Sequence, residues 1–341
     1  MSEDKTVYIV GAGFSHGYCA EKYPLTGNMF SSNLPEGILS NGEKSMLRDY
    51  LGKFLDGDIR EFDIEDALAY CDLVEQGQMK FKRDIDNRLV AMQLSSILKK
   101  FLIQRLQMAI KYEASESYME WIKSVGNNDY IITYNYDLLL ESLICGQNSG
   151  SIELYENLRK EIMETRSLSE PFRPLEKGYL LKLHGSLNWY VCSNDLCPNH
   201  STIVIRDREY DEPEKQFGFC RNCSSDLEPV IIYPGISKRY ERFPKIGHLW
   251  TMAENALFVA TKIIIIGYSF RAQDIATSFM MRNSLWFDDP GTKRWIIIDP
   301  KHDCIKERLT ALLPTRKCEI EKCQSYESVD DFIKNRMAKE Q

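Results

Sequence analysis

The sequence predicts an α/β fold, a doubly wound and mainly parallel sheet. Three observations predict it. Six short runs are β-branched and nearly continuous in apolar character: "TVYIV" (6–10), "DYIIT" (129–133), "YLLKL" (179–183), "PVIIY" (229–233), "KIIIIG" (262–267) and "RWIIID" (294–299). Strands of that kind are buried on both faces, as in parallel sheets. Helical stretches separate the runs. Each run ends in a short loop with glycine or polar residues: GAGFS, YNYD, HGS, PG, GYSF and DP. Open α/β sheets bind ligands beyond the carboxyl ends of their strands, so these loops are expected to carry function.

More than 110 residues separate the first run from the second, and they read as helix. "NRLVAMQLSSILKKFLIQRLQMAI" (87–110) places Leu89, Met92, Ile97, Phe101 and Leu106 at helical spacing. "YMEWIKSV" (118–125) closes this helical insertion. Further helices are expected over 152–166, 248–261 and 274–286, and the tail from 328 ends as a short one. No internal repeat or low-complexity linker interrupts the chain. The layout is one Rossmann-like domain over 1–341, with a helical insertion at 28–126 and a cysteine-bearing insertion at 186–228.

Composition limits the function. The chain has 341 residues, 43% of them hydrophobic and 27% charged, which suits a globular core. The net charge of −7 argues against a broad nucleic-acid or anionic-membrane surface, and no direct nucleic-acid binding is expected. A local basic groove stays open. "MSEDK" is no secretory signal, and "IIII" (263–266) is too short to span a bilayer, so a soluble cytoplasmic protein without membrane association is expected.

Six constellations bear on chemistry. Gly11, Ala12, Gly13 and Ser15 follow the first strand, where small residues let backbone amides approach a pyrophosphate; a mere turn explains them equally well. The usual dinucleotide fingerprint would need glycine at position 16, where His16 stands. Asn135 and Asp137 sit just past the second strand, and Asp137 also suits a helix cap. His184, beside Gly185 and Ser186, offers proton transfer near neutrality or only packing. Gly267, Tyr268 and Ser269 offer a second backbone cradle, and Asp274 reads as the cap of the next helix. Asp299 ends its strand, to hold a ribose hydroxyl or to form a turn with Pro300.

The sixth constellation is the most specific. Of ten cysteines, Cys192, Cys197, Cys220 and Cys223 fall in one window as two short-spaced pairs, 22 residues apart, among polar neighbours. That spacing matches a four-cysteine zinc ribbon. Four thiolates close a tetrahedral site, so its Zn2+ is structural and His200 is not needed.

In their order along the chain, these pieces resemble the sirtuin (SIR2) superfamily. GAGFS resembles its GAG-x-S opening, TYNYD its T-x-N-x-D motif, and LHGS its histidine-glycine motif. A paired-cysteine module follows, then LEPVIIYPG, GYSF and IIIDP at the family's remaining positions. The resemblance spans roughly residues 5 to 305. It implies NAD as substrate. Asn135 then holds the ribose or aligns a water, Asp137 receives the nicotinamide carboxamide, and His184 is general base or ribose partner. Gly11, Ala12, Gly13, Ser15, Gly267, Ser269 and Asp299 then cradle the phosphates and the adenosine ribose.

Two departures refine the expectation. Deacylases of this family carry an isoleucine-proline-aspartate-phenylalanine-arginine segment after GAG-x-S. Here the loop reads "HGYCAEKYPLTGNMF", and "PGISKRYERF" shows no obvious peptide-pairing pattern. Both stretches look more like the SIR2-like proteins of bacterial antiphage defence, which degrade NAD. The expected activity is therefore NAD+ glycohydrolysis, releasing nicotinamide and ADP-ribose, in a homo-oligomer with a possible defence-system partner protein. The alternatives are an NAD-dependent protein deacylase, which the four-cysteine module favours, and a non-catalytic NAD or ADP-ribose-binding module. Size and position make the helical insertion the expected place for subunit contacts or a lid.

Overall fold

The computed structural model describes residues 5–30, 37–52, 62–81, 87–107, 115–146, 152–163, 177–206, 218–235, 238, 240–271, 274–285 and 292–340. The chain opens with β1 (Thr6–Val10) and α1 (Ala12–Tyr18), then α2 (Asn41–Leu51), α3 (Ile64–Glu75), α4 (Asn87–Gln107) and α5 (Glu116–Lys123). Next come β2 (Tyr130–Thr133), α6 (Leu139–Cys145), α7 (Ile152–Met163) and β3 (Tyr179–Lys182). A second group of strands follows, β4 (Gly185–Cys192), β5 (Val204–Ile205) and β6 (Leu227–Ile231), and then α8 (Pro244–Val259). The chain finishes with β7 (Lys262–Ile266), α9 (Ile275–Leu285), β8 (Arg294–Ile298), α10 (His302–Leu312), α11 (Lys317–Glu321), β9 (Gln324–Tyr326) and α12 (Val329–Glu340).

Six strands form one sheet in the order β3-β2-β1-β7-β8-β9, and every pairing in it is parallel. The order turns back at β1 and β7, neighbours in space that lie far apart in sequence. That is the topological switch point, where such sheets open a crevice at the strands' carboxyl ends. Strands β1 and β2 are buried throughout, which accounts for their unbroken apolar character.

"PVIIY" differs from expectation. Its first three residues end β6, which pairs antiparallel with β4 in a separate three-stranded sheet ordered β5-β4-β6. Pro229 cannot donate a ladder hydrogen bond, and β6 lies at that sheet's edge, where proline is tolerated.

Two apolar cores result. The larger surrounds the parallel sheet and takes in Tyr118, Trp121 and Ile122 of α5. The smaller joins α2, α3 and α4 to Leu187 of β4 and Ile231 of β6. The expected helical insertion is thus divided: α5 packs with the sheet, and the three preceding helices pack on the small one. Along α4 the buried stripe runs through Ala91, Leu94, Leu98, Phe101 and Leu102. Leu89 and Met92 lie off that stripe and are more than half exposed. The ends of three expected helices, residues 108–110, 164–166 and 286, lie outside the described residues.

Candidate active site

The switch point is built by close backbone packing. Gly13 donates its amide to Gly267 O at 2.9 Å, and Gly11 donates to Ile266 O at 3.0 Å. A Cβ on Gly11 would lie 2.5 Å from Gly267 O, and one on Gly13 would lie 2.7 Å from Gly267 Cα. Gly267 has a φ of 59°, and a Cβ there would collide with the amide of Phe14. These glycines therefore let the β1 and β7 loops touch. The amide of Gly267 is itself bonded to Ile298 O at 3.0 Å, so three of the expected cradle amides already have partners within the protein. Ala12 is exposed at the start of α1.

Beside this contact lies a buried polar cluster. Asn135 Nδ2 donates to Gly11 O at 3.0 Å and to Ser15 Oγ at 3.1 Å. Ser15 Oγ donates to Asp137 Oδ2 at 2.9 Å, and Asp137 Oδ1 accepts the amide of Leu139 at 3.0 Å. Three expected site residues, one from α1 and two from the β2 loop, thus share one network; Asp137 bonds the first amide of α6, whose capping position is Leu138. Burial raises the Asp137 pKa, and the Lys182 ammonium opposes that rise most strongly.

His184 follows β3 and is buried. Its ring is surrounded by Tyr134, Tyr136, Tyr240 and Trp250, with centroids 5.1 to 6.3 Å away. Tyr134 and Tyr136 bracket Asn135 in sequence, so the β2 loop bearing Asn135 also supplies two walls around His184. The hydroxyl of Tyr240 lies 3.3 Å from His184 Nε2. Burial, helped by the Lys238 ammonium and opposed by Asp274, lowers the His184 pKa to about 3. The imidazole is therefore neutral at ordinary pH, so a ring nitrogen keeps its lone pair, though burial makes it a weak base.

Several groups that the motifs do not mark complete the site. Lys182, 1% exposed at the end of β3, donates to Glu141 Oε1 and to the carbonyl of Asp137, each at 2.6 Å. Asp274, expected to cap α9, instead accepts Lys238 Nζ at 2.5 Å and the Tyr268 hydroxyl at 2.8 Å. Lys238 holds that carboxyl below the usual range in spite of burial, which acts first and in the opposite direction. A signal for Lys182 does exist in the sequence, since a lysine inside an apolar strand needs a buried partner.

Ser269 and Asp299 stand at the ends of β7 and β8. Asp299 Oδ1 accepts the Lys301 amide at 2.7 Å in a strand-end turn, and Ser269 O accepts Arg308 Nη1 at 2.6 Å. No hydrogen bond among the described residues joins either to the Asn135 cluster.

The four cysteines gather at the far end of β4 and β6. The sulfurs of Cys192, Cys197, Cys220 and Cys223 lie within 4.8 Å of one another. Cys192 Sγ is 3.3 Å from Cys223 Sγ, and Cys197 Sγ is 3.8 Å from Cys220 Sγ. Metal–sulfur bonds of about 2.3 Å in a tetrahedron imply sulfur separations of about 3.8 Å. The donor set therefore fits one thiophilic metal ion. His200 stays out of the cluster, with Nδ1 3.1 Å from Cys192 O.

No helix among the described residues is long and apolar enough to cross a membrane. Among curated proteins none matches the chain. Solved structures that align with the chain include a mutant Sir2 homologue in complex with 2'-O-acetyl ADP-ribose, at 16% identity and TM-score 0.47, covering 98% of this chain and 94% of that one. A mutant Sir2 homologue in complex with ADP-ribose shows 15% identity and TM-score 0.42, covering 99% and 94%. A Sir2–p53 peptide–NAD+ complex shows 13% identity and TM-score 0.39, covering 99% and 94%. A family model described as the SIR2-like domain matches residues 129–313, more than half of the chain. That span contains Asn135, Asp137, His184, the four cysteines, Gly267, Ser269 and Asp299, while the first glycine loop lies before it; the chain belongs to the SIR2-like domain family.

Proposed function

We propose that this protein cleaves the bond between nicotinamide and ribose in NAD, with water as acceptor, releasing nicotinamide and ADP-ribose. The observation that carries the reading is the convergence of Ser15, Asn135 and Asp137 in one network at the sheet's switch point, next to the loop that walls a neutral His184.

The nicotinamide of NAD leaves as a neutral molecule from a cationic ring, so no acid need protonate it. The reaction needs an oriented substrate, stabilisation of an oxocarbenium-like ribose and a placed water. Asn135 orients the ribose or that water, and Asp137 receives the carboxamide. His184 takes up the proton lost as the water adds. Gly11, Ala12, Gly13, Ser15, Gly267, Ser269 and Asp299 line the route for the phosphates and the adenosine ribose. Zn2+ is the ion proposed for the four cysteines, with a structural role: it would tie β4 to the segment before β6 and leave the chemistry to the groups above. On this reading the protein is a cytoplasmic homo-oligomer that depletes NAD in antiphage defence, with a possible partner protein. The support for that role is the likeness of its "YPLTGNMF" and "PVIIYPGISKRY" stretches to such proteins.

A specific observation favours protein deacylation as a second reading. Strand β6 is an edge strand of its sheet, and the residue after it, Ile232, donates to the carbonyl of His184 at 2.9 Å. An extended acyl-peptide added to such an edge would run toward His184. Against it, Tyr240 already covers Nε2 of that histidine.

Incubation with NAD, with and without an acetylated peptide and with products separated by chromatography, decides. Nicotinamide and ADP-ribose formed without peptide support hydrolysis. Peptide-dependent O-acyl-ADP-ribose replaces it with deacylation. Stoichiometric binding of NAD with no product over long incubation leaves the non-catalytic module.

A further inference from the structure

We infer that Lys182 and Glu141 are a positioning pair that sets the backbone of the Asn135–Asp137 loop from beneath. Neither belongs to the motifs, and the inference deepens the NAD reading by naming what aims its loop.

Lys182 is the last residue of β3, and its side chain is buried under the β2 loop. It divides its ammonium between Glu141 Oε1 and the carbonyl of Asp137. The second contact is to main chain. It fixes the peptide plane that follows Asp137 whatever the Asp137 side chain does. Glu141, in the first turn of α6, is buried as well, and its Oε2 has no hydrogen-bond partner among the described residues. Ser186 Oγ gives Oε1 only a long bond of 3.4 Å. Glu141 therefore depends on Lys182 for its charge balance, and Lys182 depends on Glu141 to hold its ammonium in place. A buried pair kept only for stability is seldom better than apolar residues of the same size. Here one arm reaches the loop that presents Asn135 and Asp137, which gives the pair a second role.

The test separates positioning from stability and from the NAD reading. In Lys182→Met, both the melting temperature and the activity should fall, because Glu141 is left buried and unpaired. In the double variant Lys182→Met/Glu141→Leu the charge conflict is gone, so the melting temperature should recover. The Asp137 carbonyl still lacks its donor. Hydrogen exchange of peptides spanning 133–140 should then rise at least tenfold while peptides from β1 and β7 stay unchanged. The kcat for NAD cleavage should fall by about 100-fold, the cost of a misplacement near 1 Å. If the double variant does not refold, Lys182→Arg, which keeps the charge but not the single point donor, is read in the same way. Wild-type exchange over 133–140 in the variant measured overturns the inference, as does recovery of full activity in the double variant. The exchange readout needs no substrate. Raised exchange in a protein whose wild type leaves NAD intact would sink the NAD reading and leave the positioning pair standing.

Discussion

The two sides of the site are built by different forces. On the Asn135 side, polar groups bond to one another: Asn135, Ser15, Asp137, Lys182 and Glu141 form a buried chain of hydrogen bonds 2.6 to 3.1 Å long. On the His184 side, rings pack against rings, and Nε2 has one longer contact of 3.3 Å to a hydroxyl. The first side is set before any ligand arrives, because each group there is held by another. The second keeps an unprotonated nitrogen in a dry aromatic surround. One side suits orientation, the other proton transfer, and mutations should divide accordingly.

The largest contrast is between Asn135→Ala and His184→Ala. Loss of a positioned general base costs about 10²- to 10⁴-fold in kcat. His184→Ala should therefore abolish most nicotinamide release. Asn135→Ala should also lower activity, but with a clear loss of stability, since it strips the donor from Gly11 O and Ser15 Oγ. Buried groups left unpaired cost about 1–3 kcal/mol each. Melting curves and initial rates on both variants check this. A stable Asn135→Ala protein would mean that the network is looser than its distances imply.

A smaller effect is expected in the pH dependence of stability. His184 protonates near pH 6.5 in an unfolded chain but only near 3 in the fold, because burial and then Lys238 disfavour its charge. Between those values the unfolded state binds more protons. The stability that His184 contributes is thus fully present above about pH 6.5 and drains away toward 3, at most about 1.4 kcal/mol per pH unit. Asp137 has the opposite sign. Its pKa is raised by burial, so the fold retains its proton at a pH where the unfolded chain has lost it, and low pH favours the fold there. The His184→Gln variant should lose less stability than wild type between pH 7 and pH 4.5, measured by urea unfolding at each pH. Parallel losses would place the acid sensitivity elsewhere.

How much of this was legible follows from what each signal measures. Buried parallel strands betray themselves by unbroken apolar runs, and "TVYIV", "DYIIT", "KIIIIG" and "RWIIID" all joined the main sheet. "PVIIY" carries the same signal and joined the other sheet, because local hydrophobicity reports burial and not the identity of the partner strand. The loops at strand ends were legible because small and polar residues there have few other reasons to follow an apolar run. Asn135, Asp137 and Ser15 came together as their motifs suggested. Lys182 and Glu141 were not singled out and Asp274 was read only as a helix cap, because their roles rest on pairing across 36 to 45 positions, and a lysine in an apolar run shows that a buried partner is needed without showing which. Gly267 was read for phosphate; its backbone also packs against Gly13 and Phe14, a contact visible only once β1 and β7 are neighbours.

The smallest effect should come from Tyr240→Phe, and it tests the comparison most finely. Among the described residues, Tyr240 is the polar group that meets Nε2 of His184, and it lies within "PGISKRYERF", the stretch that departs from deacylases. At 3.3 Å the bond is long, and a typical hydrogen bond contributes about 0.5–1.5 kcal/mol. If the hydroxyl only shields the imidazole, its removal leaves the ring wall in place and kcat changes by less than about tenfold. Stability should barely move, since the phenyl ring still packs on Trp250 at a centroid distance of 5.4 Å. A loss approaching that of His184→Ala would instead mean that the hydroxyl shares in proton transfer, and the aromatic side would be a hydrogen-bonded relay like its neighbour. A gain in rate would show that Tyr240 holds back His184 Nε2, and that the segment over this histidine must move before water reaches the ribose.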